Sequence, residues 1–379
     1  MSKERGSGKK RLIRGIGYAF YLFVAVFLLL EVALRLYNPF HLRLKGDRIV
    51  LPVNLRMTIT NRINPKLDPV IVNTRNSLGF RGPEPPGDWM GSLTVITIGG
   101  STTECHFLSD DKTWPFLLGH ALNDSFRSCW LNNAGLDGHS TFGHTILLND
   151  HVKKLRPKVI LFLTGINDVE TGGPSFHDKL ATKGAYTDLR HWLFGNSEVL
   201  NLFLNLARGW RAQRFNNTTN SMLIMDSSRR SVLPDSITAS RLASQGPFLL
   251  AYKQRITALA DTCAAWHILP VFLTQPNLFG VGRDPASGVD LALFPCDPGD
   301  TTVNGQLMWA MLEKYNNVVR SVGVERGAPV IDLARLMPKD SRYYYDMSHF
   351  TNQGAREIAT LLSRPMDSLL RSHFPQFAR

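Results

Sequence analysis

Five short apolar runs separated by helical patterns leave this chain few folds to choose from. They are LTVITIGG (residues 93–100), WLNNAG (130–135), VILFLTG (159–165), ILPVFLTQP (268–276) and PVIDL (329–333). A half-exposed strand alternates apolar and polar residues. The first and third of these runs are apolar almost throughout, so both faces of those strands must be covered. Helix-compatible stretches at 103–122, 145–155, 248–266 and 305–322 supply that cover. The alternation predicts an α/β domain of three layers, α/β/α, doubly wound around a five-stranded parallel sheet.

The chain is 379 residues long, 44% hydrophobic and 20% charged, a composition that folds and shows no internal repeat. Its net charge of +12 is unevenly placed. Residues 1–14 carry Lys3, Arg5, Lys9, Lys10, Arg11 and Arg14 against Glu4 alone, which is +5 and leaves +7 for the rest. No basic run interleaved with aromatics appears there, so the charge reads as a solvated surface and no nucleic-acid partner is expected.

Behind the basic head runs GIGYAFYLFVAVFLLL, followed by EVALRLYNP. The 20 residues from Gly15 to Leu34, at ~1.5 Å rise each, span a hydrocarbon core of about 30 Å. Glu31 interrupts the run near one end, where it can reach headgroups or pair with Arg35 one turn on. A cleaved signal peptide would need small residues one and three places before the cut, and a cut after Ala33 would put Glu31 at the outer of these. The expectation is therefore an uncleaved signal-anchor at residues 15–36 with the lipid bilayer as partner. Six basic residues precede the segment, while Arg35, Arg43, Lys45 and Arg48 follow it, which orients residues 1–14 toward the cytoplasm. The rest would then lie on the outer side of that membrane.

Residues 37–92, rich in Pro, Asn and Arg, read as a connector that packs on the main domain at 93–379 and contains a short β-like run at 70–72. A helical insertion is expected at about 172–247. Within it SEVLNLFLNLARGW (197–210) sets Val199, Phe203, Leu206 and Trp210 at helical spacing. That stripe fits a helix covering the core, or an amphipathic element on a membrane or a substrate groove. Cys105, Cys129, Cys263 and Cys296 show no C-x-x-C spacing, so no zinc or thioredoxin-type site is implied, and three disulfide pairings stay open.

Ligands of doubly wound domains bind beyond the carboxyl ends of the strands. The first predicted strand ends in GGSTTE, placing Ser101 at a strand-to-helix turn. The second ends in NNAGLDGHST and the third in GIND. The last leads into YYYDMSHFTNQG, with Asp346 and His349 three positions apart. Together they hold the parts for acyl transfer. A serine hydroxyl needs an adjacent base, which His349 would be, and Asp346 would fix its tautomer. The Ser101 N–H, the Gly138 N–H and the Asn167 amide would stabilise the oxyanion. His106, His139, His144 and His151 are competing bases without so close an Asp on a late loop; His139, beside Gly138, could contact substrate. Taken singly, Ser101 could cap a helix, Asn167 could be a turn residue, and His349 with Asp346 a structural pair. There is no G-x-S-x-G elbow, no strand ahead of GSGKKR to make a phosphate loop, and no metal-binding or cofactor motif.

GGSTTE, NAGLDG, GIND and DMSH, in this order, resemble the four blocks of the SGNH hydrolases, the GDSL-type esterases and lipases. The resemblance implies a flavodoxin-like SGNH fold, Ser101 as nucleophile, Gly138 and Asn167 as oxyanion donors, and Asp346 and His349 completing the triad, with no cofactor. The Asp usual before the nucleophile is Gly100 here, and the Pro often found after the histidine is Phe350. With its anchor, the chain resembles membrane-tethered bacterial members, which implies an esterase acting on small acyl esters, including those of envelope or exported polysaccharide. An O-acyltransferase to glycan, a lysophospholipase and a non-catalytic binding subunit are the alternatives. Oligomeric state is not readable.

Overall fold

A computed structural model of the chain describes residues 4–37, 44–45, 48–62, 64–174, 178, 193, 196–214, 225–226, 228–296 and 302–379. The chain divides into two compact units, Met1–Pro52 with Leu180–Asn217, and Val53–Lys179 with Thr218–Arg379. The boundary thus falls within the expected connector. Lys3, Arg43 and parts of the insertion expected at about 172–247 lie outside the described residues.

The larger unit carries the parallel sheet. Its strands are β5 (Leu93–Gly99), β6 (Cys129–Asn133), β7 (Val159–Thr164), β8 (Leu269–Thr274) and β9 (Val330–Ile331). They lie in the order β6-β5-β7-β8-β9. All neighbours are parallel. Counted along the chain, the order is second, first, third, fourth, fifth, the flavodoxin-like winding whose switch point lies between β5 and β7. Every residue of β5, β6 and β7 is buried, as continuous apolar runs require. Each fully buried Val, Leu, Ile or Phe stabilises the unit by roughly 1.5–3 kcal/mol. Helices Gly246–Ala265, Gly305–Arg326 and Asn352–His373 follow the apolar periodicity of the sequence.

Two helices differ from expectation. The stretch at 103–122 is broken: α2 (Ser101–Glu104) stops at Cys105, whose φ of 52° is left-handed. The chain becomes helical again at α3 (Trp114–Ser125), where Thr113 caps the start by accepting from the Phe116 N–H and Pro115 stands in the first turn. The helix expected at 145–155 begins earlier, as α4 (Thr141–Leu147) capped by Ser140, and passes through a π-helical turn at Leu148–Val152.

Ahead of the sheet, β3 (Leu55–Thr60) and β4 (Val70–Arg75) form an antiparallel pair, so the run expected at 70–72 is twice as long. In the smaller unit, α1 (Glu4–Leu36) continues the apolar segment back through the basic head as one helix. Ile13–Leu36 is long and apolar enough to cross a membrane, with mean hydropathy 2.2. All four cysteines are buried, and no disulfide joins Cys105, Cys129 or Cys263. Burial pushes the Cys105, Cys129 and Cys263 thiols up to about 12, so they stay protonated.

Candidate active site

Four segments meet beyond the carboxyl ends of β5, β6 and β7. β5 runs into Gly100 and the single turn α2, whose first residue is Ser101. The Gly100 carbonyl accepts from the Thr103 N–H at 3.0 Å and the Glu104 N–H at 2.9 Å, fixing the turn.

The turn is braced by the segment NSLGFRGPE. Arg81, 3% exposed, donates to the carbonyls of Glu104 (2.6 Å), Cys105 (2.8 Å) and Leu108 (2.7 Å), and its Nε donates to Asp110 at 2.9 Å. Arg75 donates to the buried Glu104 carboxylate at 2.6 Å. A guanidinium suits this role because its fork of N–H groups can serve several fixed acceptors at once. Arg81→Ala removes a buried donor from three carbonyls and from a carboxylate that Thr74 continues to bind. It should lower unfolding stability by about 3 kcal/mol, with Arg81→Lys recovering only part. A denaturant midpoint unchanged in Arg81→Ala would remove this role.

The histidine arrives on the loop before the last helix. Tyr344 pairs with Phe350 as an antiparallel bridge, and Tyr344 is fully buried. Within this loop one Asp346 oxygen accepts from the N–H groups of Ser348 and His349, both at 2.8 Å. Its other oxygen lies 2.6 Å from His349 Nδ1, and His349 Nε2 lies 2.7 Å from Ser101 Oγ. The ionised carboxylate only accepts, so Nδ1 carries the proton and the Nε2 lone pair faces the serine hydroxyl, which donates. The Tyr345 ring stacks on the imidazole, centroids 5.5 Å apart and planes inclined by 10°. Burial opposes both charges, yet Asp346 holds His349 above its usual 6.5, and His349 holds Asp346 below the usual carboxylate range.

A base must be neutral to take a proton. If His349 is that base, kcat/KM falls as pH drops through an inflection above 6.5, the side to which the pair displaces the imidazole. A profile flat from pH 8 to pH 5.5 would exclude it.

Asn167 lies on the turn Ile166–Asp168 that follows β7, and its Nδ2 donates to the His139 carbonyl at 2.9 Å. A Cβ on Gly100 would stand 2.6 Å from that Nδ2 and 2.9 Å from the same carbonyl. This is why the position before Ser101 is glycine in this chain. Gly138, with φ of 71°, lies in the loop from β6 to α4. That loop is stitched to β5 by the Leu136 N–H, which donates to the Gly99 carbonyl at 3.0 Å. The structure therefore brings Ser101, Asp346 and His349 into one hydrogen-bonded chain and sets Asn167 beside Gly100.

His139 is buried in the loop from β6 to α4. The residue is 3% exposed, its ring packs toward Gly143 and His144, and its carbonyl accepts from Asn167. His144 is buried, and desolvation pushes it down to about 4. His106 faces Glu104 at 3.8 Å. Neither approaches Ser101 as His349 does.

Sequence reasoning passed over four supports. Arg81 and Arg75 lie in a segment read only as a connector. Asp168, the residue after Asn167, accepts from Thr141 Oγ1 at 2.5 Å and from Arg255 at 3.2 Å. Arg255 also donates to Thr141 Oγ1 at 2.6 Å and lies 3.9 Å over the Phe142 ring. This clamp ties the turn bearing Asn167 to the helix after Gly138, and burial pushes Asp168 up to about 6. The GIND block was the available signal for Asp168; nothing local marked Arg255.

A serine, an imidazole and a carboxylate linked in sequence at the switch point of a doubly wound sheet define the serine hydrolase class. Residues 97–357 match the model of the GDSL-like Lipase/Acylhydrolase family, and the chain belongs to that family of ester-hydrolysing serine hydrolases. Among solved structures it is similar to Axe2, an acetylxylan esterase from Geobacillus stearothermophilus, at 13% identity and TM-score 0.41, over 73% of this chain and 95% of that one. LAE5, an α/β hydrolase from the metagenome of Lake Arreo, Spain, is similar at 15% identity and TM-score 0.40, over 73% and 96%. A putative lipolytic protein of the G-D-S-L family from Desulfitobacterium hafniense is similar at 12% identity and TM-score 0.39, over 72% and 99%. No curated protein matches the sequence.

Proposed function

We propose that the chain is a membrane-anchored serine esterase that hydrolyses small acyl esters through Ser101, His349 and Asp346. The observation that carries this reading is the pair of short contacts from Ser101 Oγ to His349 Nε2 (2.7 Å) and from His349 Nδ1 to Asp346 (2.6 Å). Ser101 Oγ attacks the ester carbonyl as His349 takes its proton, and Asp346 stabilises the imidazolium. The oxyanion is received by the Ser101 and Gly138 N–H groups and by the Asn167 amide hydrogen that His139 does not use. His349 then returns its proton to the departing alcohol. Water, deprotonated by His349, attacks the acyl carbon and frees Ser101.

The preference for a short acyl group is supported by the recess beside Ser101. It has about 180 Å³ of empty space including its open mouth, and is lined by Thr102, Cys105, Phe107, Leu108, Tyr345 and Phe350. The mostly apolar lining, close around Ser101, favours a short acyl chain over a long one. Acetyl esters of envelope or exported polysaccharide are the first substrates to test, on the analogy of anchored relatives. The anchor would be α1, with its following domain on the outer side of a bacterial inner membrane, and the catalytic domain would comprise residues 93–379 with the 37–92 connector packed on it.

The test is fluorophosphonate labelling of the full-length protein, followed by mapping of the modified peptide. The expected result is a single adduct on Ser101 and turnover of p-nitrophenyl acetate well above that of the octanoate. Folded protein that takes no label would leave a binding module in its place. Asn167→Ala should cost about 3 kcal/mol in kcat/KM, close to a hundredfold. An unchanged value would take Asn167 out of the oxyanion site.

A further inference from the structure

Glu31 is a carboxylate set in an apolar helix, and the structure shows what it does there. One of its oxygens accepts from the Glu198 N–H at 3.0 Å, and the other from Ser197 Oγ at 2.8 Å and the Val199 N–H at 3.2 Å. These donors form the start of the Glu198–Arg214 helix, whose first N–H groups have no partner within the helix. Arg35 closes the arrangement, donating to Glu31 at 2.9 Å and to the Asn196 carbonyl at 2.6 Å. The carboxylate of one helix thus caps the other, and a cap of this kind fixes where the second helix begins.

That point has a depth. Glu31 is three residues before Leu34 and five before Leu36, so at ~1.5 Å rise per residue it lies about 5–8 Å inside the end of the apolar span. This is the level at which an interfacial amphipathic helix buries its apolar face. The Glu198–Arg214 helix has such a face. Val199 and Asn201 are buried, while Phe203 is 64% exposed, Leu206 is 56% exposed and Ala207, on the same side, is also exposed. No described residue covers that stripe. The sequence continues with Arg208, Arg211 and Arg214 around Trp210, a composition drawn to anionic headgroups. α1 itself exposes Leu22, Val26, Leu29 and Leu30 at 46–70%.

We propose that the Glu198–Arg214 helix lies in the membrane interface at the Glu31 end of α1, with Phe203, Leu206 and Ala207 turned into the lipid. The inference rests on α1 crossing the membrane. It also gives α1 a structural role, since cleavage after Ala33 would take away the cap.

The test uses full-length protein in vesicles of phosphatidylcholine with phosphatidylglycerol. An environment-sensitive fluorophore is placed singly on Phe203→Cys, Leu206→Cys, Leu22→Cys and, as an exposed site on the larger unit, Val324→Cys. The native cysteines are buried and give a low background. The expected result is blue-shifted emission, quenched by brominated lipid, at 203, 206 and 22, with neither effect at 324. Adding Glu31→Ala to Phe203→Cys should shift the 203 signal toward the solvent value while 22 stays immersed. Immersion at 22 with a solvent-like signal at 203 and 206 overturns the interfacial helix and keeps the anchor. Solvent-like signals at 22 as well overturn the anchor itself. Disulfide-linked dimers of Phe203→Cys that form in proportion to protein density and exclude the lipid quencher would give the stripe to a second copy, and also overturn the proposal.

Discussion

Ser101→Ala is expected to lower kcat on a small acyl ester by roughly 10⁴- to 10⁶-fold with KM little changed, because it removes the atom that forms the acyl-enzyme. The substitution deletes one hydroxyl at a turn whose shape is set by Gly100, Glu104 and Arg81 through backbone carbonyls and N–H groups. Stability should therefore be close to that of the parent, and the loss cannot be blamed on misfolding. Ser101→Ala should also abolish fluorophosphonate labelling. Activity within tenfold of the parent would mean that another nucleophile does the work.

Asp346→Asn is expected to cost about 10⁴-fold in kcat while leaving the loop intact. One side-chain oxygen of Asp346 accepts from the Ser348 and His349 N–H groups, and an asparagine carbonyl can keep both bonds. The other oxygen becomes an NH₂ group facing His349 Nδ1. That nitrogen must then accept, so the proton moves to Nε2, and the imidazole turns a donor toward Ser101 where an acceptor is needed. The histidine stays in place in the wrong tautomer. A variant that retains near-parental kcat would show that Asp346 is a loop-building residue only.

The two variants also separate the active site from the anchor. Neither touches α1 or the Glu198–Arg214 helix, so membrane association should be the same in both. A change in association would couple features that are chemically independent.

Much of this was legible in the residues. The continuous apolar runs declared a sheet buried on both faces, and the helical runs between them fixed the winding. Asp346 and His349 are three residues apart, so a local turn that needs only its own N–H groups brings their side chains together. The helix break at Cys105 was less visible. A left-handed residue there leaves no compositional mark. Arg81 and Arg255 were not legible at all, because an arginine in a connector or on a helix looks like solvated surface until its acceptors are known.

The sequence by itself determined the layers of the larger unit, the apolar helix ahead of it and the turn that pairs Asp346 with His349, since each depends on spacing within a few residues. Only the tertiary structure decided that Ser101 meets a histidine 248 positions away, that His139 offers its carbonyl to Asn167, and that Glu31 caps a helix more than 160 residues later. Such contacts depend on where whole strands and loops come to rest. Hydrogen bonds act over about 3 Å, and no short window of sequence encodes which distant groups will end up that close.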